Sequence, residues 1–182
     1  MIAAPPTTAP LTARSSLADW HAAHRGILFR VSRAYGRGPR DAAELEQEML
    51  FQLWSALPRF AQQSKPSTWV YRICLNTALT WRRGVGRRER HFENEVELAV
   101  LPGEGPTPAA ATEQRERLDK LYDALRQLNP AERALVLLML DGLSHREIGE
   151  IAGLTENHVA VSLLRIRRRL ATLMKGVSDE LG

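Results

Sequence analysis

The sequence predicts an all-α chain: two small helical domains joined by a flexible linker. Three observations carry that reading. Apolar residues recur at helical spacing in both halves, and no stretch alternates in the manner of a half-buried strand. Between His91 and Thr112 the segment HFENEVELAVLPGEGPTPAAAT mixes acids, glycines and prolines with no sustained period, which is linker composition. With 182 residues, 44% of them hydrophobic and 25% charged, the chain suits one ordinary domain or two small ones. Wholesale disorder is excluded. So is a helical membrane span, because no apolar run approaches the roughly 20 residues a bilayer requires.

The elements follow in order. Residues 1–14 lie in MIAAPPTTAPLTARSS, a proline-bearing opening that reads as a loose tail and not as a secretory signal. The first domain spans 15–90. Its first helix runs from Leu17 to Tyr35 and stops at Gly36 and Gly38-Pro39. A second starts near Asp41 and ends before Pro58. A third begins between Ser64 and Ser67 and continues into Arg82-Arg83, where Gly84 and Gly86 are expected to loosen it. The linker occupies 91–112 and the second domain 113–176. That domain opens with a helix from Glu113 to Leu128. Asn129-Pro130 then offers a capping side chain before a proline at the first helical position, and the helix through ALVLLML should stop at Gly142. Ser144-His145-Arg146-Glu147 has the form of a capping box, Gly153 ends that short helix, and Thr155 caps the last, which runs to about Lys175. Residues 177–182 form a tail.

The net charge of +4 hides an uneven layout. From Arg59 to Arg90 eight bases face the single acid Glu89, whereas Asp41, Glu44, Glu46 and Glu48 form an acidic block. Acids dominate again from Glu93 to Asp123, and Arg165, Arg167, Arg168 and Arg169 make a second basic block. Two basic blocks separated by acidic ones suit two polyanion contacts, or simply solvated helix faces. Cys74 stands alone, so it forms no internal disulfide and no thiolate metal site; this suits the reducing cytoplasm. His21 and His24 share a helical spacing, but no carboxylate completes a zinc-hydrolase pattern, and there is no glycine-rich phosphate loop or nucleophile elbow. Neither an enzyme nor a cofactor is expected.

Three stripes carry the functional signal. In SHREIGEIAGLTENHVAVSLLRIRRRL a short helix, a turn and a longer basic helix match a helix-turn-helix. Val159, Leu163, Ile166 and Leu170 fall on the inward side of the longer helix. Asn157, Val161, Arg165 and Arg168 fall on the other, placed to enter a major groove; the plainer alternative is a helical hairpin with an arginine-rich surface. On the second helix Leu45, Met49, Leu53 and Ala56 face the core, while Glu44, Gln47, Glu48, Phe51 and Ser55 line the opposite side. An acidic face with an exposed phenylalanine fits a basic protein partner, although lone exposed aromatics are common. On the third helix Trp69, Arg72, Asn76 and Arg83 share a stripe suited to single-stranded DNA. Core packing of Trp69 explains the aromatic slightly better on this pattern alone.

DAAELEQEMLFQLW, STWVYRICLNTALTWRR and LNPAERALVLLMLDGLSHREIGEIAGLTENHVAVSLLRIRRRL occur in this order. Together they resemble regions 2.2, 2.3–2.4 and 4 of bacterial sigma factors, specifically the compact extracytoplasmic-function group of the sigma-70 family. The resemblance spans about Leu17 to Lys175. It implies a protein that binds core RNA polymerase, recognises promoter DNA, separates the −10 strands and starts transcription. Glu44, Gln47 and Glu48, with Phe51 beside them, would dock on the coiled coil of the polymerase's largest subunit, and region 4 on its flap. Trp69, Arg72 and Asn76 would read the −10 element. Arg82, Arg83, Arg87 and Arg88 would hold the promoter backbone. The last helix would read the −35 element through Asn157, His158 and Val161, with Arg165 and Arg168 mainly on phosphates. An anti-sigma factor is a further partner the family allows; a membrane is not. A stand-alone helix-turn-helix regulator explains only the second half. Three departures stand out. Glu46 replaces an apolar residue near Leu53 and Leu57 and needs a partner such as Arg30 or Arg33. Gly149 replaces the usual alanine, at a cost of roughly 1 kcal/mol in helix propensity. Ala160 and Ser162 occupy positions that are often basic.

Overall fold

The computed structural model describes residues 15–89 and 109–179, and every regular element among them is helical. Helix α1 (Leu17–Tyr35), α2 (Pro39–Ala56) and α3 (Pro66–Glu89) form the first unit, with a short 3-10 turn at Leu57–Arg59. Helices α4 (Ala109–Arg126), α5 (Pro130–Leu140), α6 (His145–Ala152) and α7 (Glu156–Asp179) form the second. The expected tail 1–14 and most of the linker fall outside the described residues, whereas α7 continues past Lys175 and takes in 177–179 of the expected tail 177–182. The linker's last four positions are helical, because α4 begins at Ala109 and not at Glu113. A second boundary also moves. Gly84 and Gly86 do not end α3, which runs on to Glu89.

Caps fix the helix starts. Ser16 and Asp19 exchange hydrogen bonds at the head of α1, a capping box the sequence reading had left out. Asn129 caps α5 as expected, with Glu132 completing a box, and the expected box of Ser144 with Glu147 heads α6. Each box satisfies backbone donors that the first helical turn leaves open. Gly153 ends α6 at φ 71°, in the left-handed region where a side chain is strained. Gly149 is required for a different reason. A Cβ there would lie 2.5 Å from the Leu154 carbonyl oxygen, so the turn between α6 and α7 closes onto the glycine itself. The propensity cost read from sequence is offset by a close approach that alanine cannot make.

In the first unit Leu28, Val31, Leu45, Met49, Leu53, Val70 and Cys74 are buried between the three helices; in the second, Leu125, Leu138, Ile148, Val159, Leu163 and Ile166 are buried. These form one continuous apolar cluster. The units therefore meet directly, α1 against α4 and α5 and α3 against α6, in addition to their covalent connection. The seam is stitched by Arg133, only 4% exposed. Its Nε donates to the Leu125 carbonyl at 2.9 Å, Nη1 to Ala34 at 2.9 Å, and Nη2 to Arg126 at 2.7 Å and Leu128 at 3.0 Å. The guanidinium also lies 5.0 Å from the Tyr35 ring centre, and the Tyr35 hydroxyl donates to the Pro130 carbonyl at 2.6 Å.

Two stability outcomes follow from these contacts. Arg133→Met keeps the apolar stem but strands buried carbonyls, so urea unfolding followed by circular dichroism should show a loss of about 3 kcal/mol. Gly149→Ala should also destabilise, by about 1–3 kcal/mol, reversing the sign that helix propensity predicts. A raised melting temperature for this variant would contradict the contact with Leu154.

Candidate functional site

Helix α7 presents two opposite faces. Val159, Leu163, Ile166 and Leu170 are buried, while Asn157, His158, Val161, Arg165 and Arg168 are exposed. Thr155 accepts a hydrogen bond from the His158 backbone at 3.3 Å and so fixes the start of this face. The neighbouring arginines turn back onto the protein. Arg167 donates to the Met139 sulfur at 3.2 Å and Arg169 to Glu132 at 3.2 Å. The arginine run thus divides into two residues that brace α7 and two that project from it. Ala160 is half-buried and Ser162 buried, so neither adds to the outer stripe.

Helix α2 buries Leu45, Met49 and Leu53 and turns Glu44, Gln47 and Phe51 outward, with Glu48 half-buried. Gln52 donates to Glu48 at 2.8 Å. Phe51 is 56% exposed and Trp54 58%, and their rings lie 6.1 Å apart. Trp54 escaped the sequence reading. Its signal was the three-residue spacing from Phe51, which puts the two rings on neighbouring turns of one face. An exposed aromatic pair within an acidic patch is a surface with much apolar area to gain by docking.

Glu46 sits half-buried at the rim of a groove between α1 and α2, beside Phe29, Arg25 and His21. The partners expected for it are engaged elsewhere: Arg33 pairs with Asp119, and Arg30 Nε lies 2.6 Å from Asp141. The second contact is one of charge, without hydrogen-bond alignment. Burial raises the Asp141 pKa, against the opposing pull of Arg30.

On α3, Arg72, Asn76 and Arg83 are exposed, and a cleft joins Asn76 and Thr80 to Glu44, Glu48 and Gln52 of α2. Trp69 stands apart from this group. It is half-buried, its ring centre 5.2 Å from that of Trp20 and 4.9 Å from that of Phe60. Most of the ring belongs to an aromatic cluster of the core, the plainer of the two sequence readings. Arg82 is half-buried and lines a hollow with Asn129 and Pro130 of the second unit. The side chains of Arg87 and Arg88 lie outside those described.

Arg72 reaches across the seam. Its guanidinium donates to the Glu150 carbonyl in the last turn of α6, with Nε at 3.1 Å and Nη2 closer. Lys65, just ahead of α3, donates to Glu147 at 2.7 Å. That bond, together with those from Ser144, holds the Glu147 carboxyl down at about 2.

Burial pushes the Cys74 thiol up to about 12, which removes it as a nucleophile near neutral pH. The ring of His24 is buried against Trp20, with Nδ1 3.1 Å from the Trp20 carbonyl oxygen. No cluster of His, Cys, Asp or Glu able to hold a metal occurs among the described residues. Nor is any described helix long and apolar enough to cross a membrane.

Known proteins share this organisation. The sigma-70 region 2 family matches residues 20–88 and the sigma-70 region 4 family residues 118–170. The RNA polymerase sigma factor NccH of Alcaligenes xylosoxydans xylosoxydans is 28% identical over 84% of this chain and 83% of its own length. The ECF sigma factor SigG of Mycobacterium tuberculosis is 31% identical over 86% of this chain, which spans only 48% of that longer protein. Among solved structures, CnrH in complex with the cytosolic domain of CnrY superposes with a TM-score of 0.64 at 23% identity, covering 90% of this chain and 92% of that one. The sigma factor RpoE of Bartonella quintana, in complex with the anti-sigma factor NepR, gives 0.64 at 20% identity, covering 86% and 97%. The structural likenesses speak for the fold, and the ordered pair of matched regions speaks for descent. This chain belongs to the sigma-70 family, in its extracytoplasmic-function group.

Proposed function

We propose that this chain binds core RNA polymerase through α2, opens and reads the −10 element with α3, and reads the −35 element with α7. The observation that carries this reading is the exposed pair Phe51 and Trp54 within the acidic face of α2, on the same chain as a helix-turn-helix. A stand-alone DNA-binding regulator needs the helix-turn-helix but has no use for that face. Glu44, Gln47 and Glu48 precede the aromatic pair on α2 and supply charge complementarity to the basic side of the largest subunit's coiled coil, while region 4 meets the flap. The protein works without a cofactor: nucleotide addition belongs to the polymerase, and this chain supplies recognition.

At the −10 element, Asn76 and Arg72 offer an amide and a guanidinium to an unpaired strand, with Arg82, Arg83, Arg87 and Arg88 along its backbone. Trp69 contributes as the wall behind them. Such work takes place in the cytoplasm. Both solved neighbours are complexes, with CnrY and with the anti-sigma factor NepR, and this supports an anti-sigma partner here too.

Docking is tested by co-elution with core polymerase. Glu48→Lys and Phe51→Ala/Trp54→Ala should each weaken holoenzyme assembly, the aromatic double variant by about tenfold or more, with circular dichroism of the free protein unchanged. Undiminished co-elution of both would move the docking surface elsewhere. Readout at −35 is tested by selection over randomised elements using reconstituted holoenzyme. Asn157→Ala or Val161→Ala should change the preferred sequence, because their side chains face base edges and thymine methyl groups. Arg168→Ala should weaken all sequences alike and flatten the salt dependence, as loss of a phosphate contact does. The opposite pattern would exchange the roles of the two sets.

A further inference from the structure

We propose that the hollow enclosed by α1, α2 and α4 is a binding site for a free guanine nucleotide. The inference is independent of how the chain meets polymerase or promoter, and the residues that carry it lie on neither of those faces.

The hollow has a volume of about 480 Å³, within the range of small-molecule pockets. It exists because small residues make its floor: Ser32 and Gly36 on α1, Ala42 and Ala43 on α2. Its walls combine three chemistries. Phe29 is 52% exposed, a large ring that the packing of the chain leaves half open. Beside it stands Glu46, half-buried. Both also line the neighbouring hollow of His21 and Arg25, so they mark the end of the site away from the α1–α2 turn. Arg33, Arg37 and Arg126 supply cations along the remainder.

Glu46 decides what fits. Neither the core nor the DNA contacts use it, and among the described residues no ion pair or hydrogen bond reaches its carboxylate. Two acceptor oxygens are thus open to donors from outside the chain, next to an exposed ring. Guanine suits both. Its flat ring stacks on Phe29, and its N1–H and N2–H groups lie side by side, matching the two oxygens. Adenine turns the lone pair of N1 to the same carboxylate and is repelled. A diphosphate or triphosphate then meets the arginines, whose guanidinium forks clasp phosphate oxygens in pairs. The spacing agrees. Glu46 stands about 10 Å along α2 from Pro39 at the turn, comparable with the span of a nucleotide from base to phosphates.

The arginines are held in place by ties that a phosphate can exchange. Arg33 pairs with Asp119, whose side chain is 47% exposed, and lies 5.9 Å and 5.1 Å from the ring centres of Phe29 and Tyr122. Arg126 pairs with the still more exposed Asp123 and donates to the Arg33 carbonyl at 3.3 Å. Exposed pairs of this kind contribute little, so a group of higher charge displaces the carboxylate and keeps the guanidinium where it stands.

The test is isothermal titration calorimetry of the full chain with GDP, ADP and pyrophosphate. GDP should bind one to one, and about tenfold more tightly than ADP, as paired base contacts discriminate. Glu46→Gln, whose amide can pair with adenine, should erase or reverse that preference and leave pyrophosphate unchanged. Phe29→Ala should weaken both nucleotides and also leave pyrophosphate unchanged. Arg33→Gln/Arg126→Gln should weaken GDP and pyrophosphate together, by about tenfold or more. Should that double variant lose its helical melting transition, Arg37→Gln, at an exposed position, carries the test with a loss of about threefold. No saturable binding of GDP, or equal affinity for GDP and ADP, overturns the proposal. So does a Glu46→Gln variant that keeps the wild-type preference. A guanine-bearing single-stranded oligonucleotide that competes for the site at lower concentration than GDP makes the occupant a nucleic acid, and overturns it as well.

Discussion

The arrangement of the whole chain depends on how one buried cation satisfies its donors. A guanidinium carries five N–H groups, and burying one without partners is expensive. Arg133 solves this without a carboxylate, by donating to four carbonyl oxygens. Three of these, Leu125, Arg126 and Leu128, lie at the end of α4 and the turn into α5, where helix carbonyls lack intrahelical partners and the dipole is negative. The fourth is Ala34, at the end of α1. That last bond brings the end of α1 against the α4–α5 turn, with Arg30 and Arg33 of α1 facing Asp141 and Asp119 across the seam. With α1 fixed there, α3 meets α6.

The four bonds of Arg133 divide unequally between the two units. Arg133 makes three of its bonds within its own half and reaches the other through Ala34 and the Tyr35 ring. The link between the units adds to this the apolar cluster they share, the Tyr35 hydroxyl on the Pro130 carbonyl and the ion pairs of Arg30, Arg33 and Lys65. The same residues therefore hold α1 and α3 in a defined arrangement against the second unit.

Much of this was legible in the sequence where the determinant was local. Helical periodicity gave α1 its full span, and the capping side chains of Asn129, Ser144 and Thr155 marked three helix starts. The two faces of α7 followed from spacing alone. Reading failed where the determinant lay far along the chain or in space. Gly84 has nothing within 4 Å of where a Cβ would be, so it neither helps nor obstructs, and a propensity cost of about 1 kcal/mol does not end a helix as long as α3. Gly149 looked like a weakness because the Leu154 carbonyl that requires it belongs to the next turn of the chain. Arg30 and Arg33 were natural partners for Glu46 by proximity on α1, but Asp141 and Asp119 are contributed by the other half. No local pattern reveals that competition.

Trp69 shows how a residue on an exposed stripe can also belong to the core. Periodicity aligns it with Arg72 and Asn76, yet its ring lies against Trp20 and Phe60, and Trp20 is wholly buried. Phe60 closes the turn before the segment leading into α3. In that segment Gln62 holds φ at 57°, a left-handed conformation that costs a side-chain-bearing residue energy and persists only when its surroundings enforce it. Clamped between Phe60 on one side and Trp69 on the other, the segment has its ends fixed by the same aromatic cluster. The first turn of α3 is thereby anchored, and Arg72 and Asn76 follow about one and two turns later on a rigid rod with a rise of about 1.5 Å per residue. The role of Trp69 in this stripe is therefore positional: it sets where the guanidinium and the amide stand.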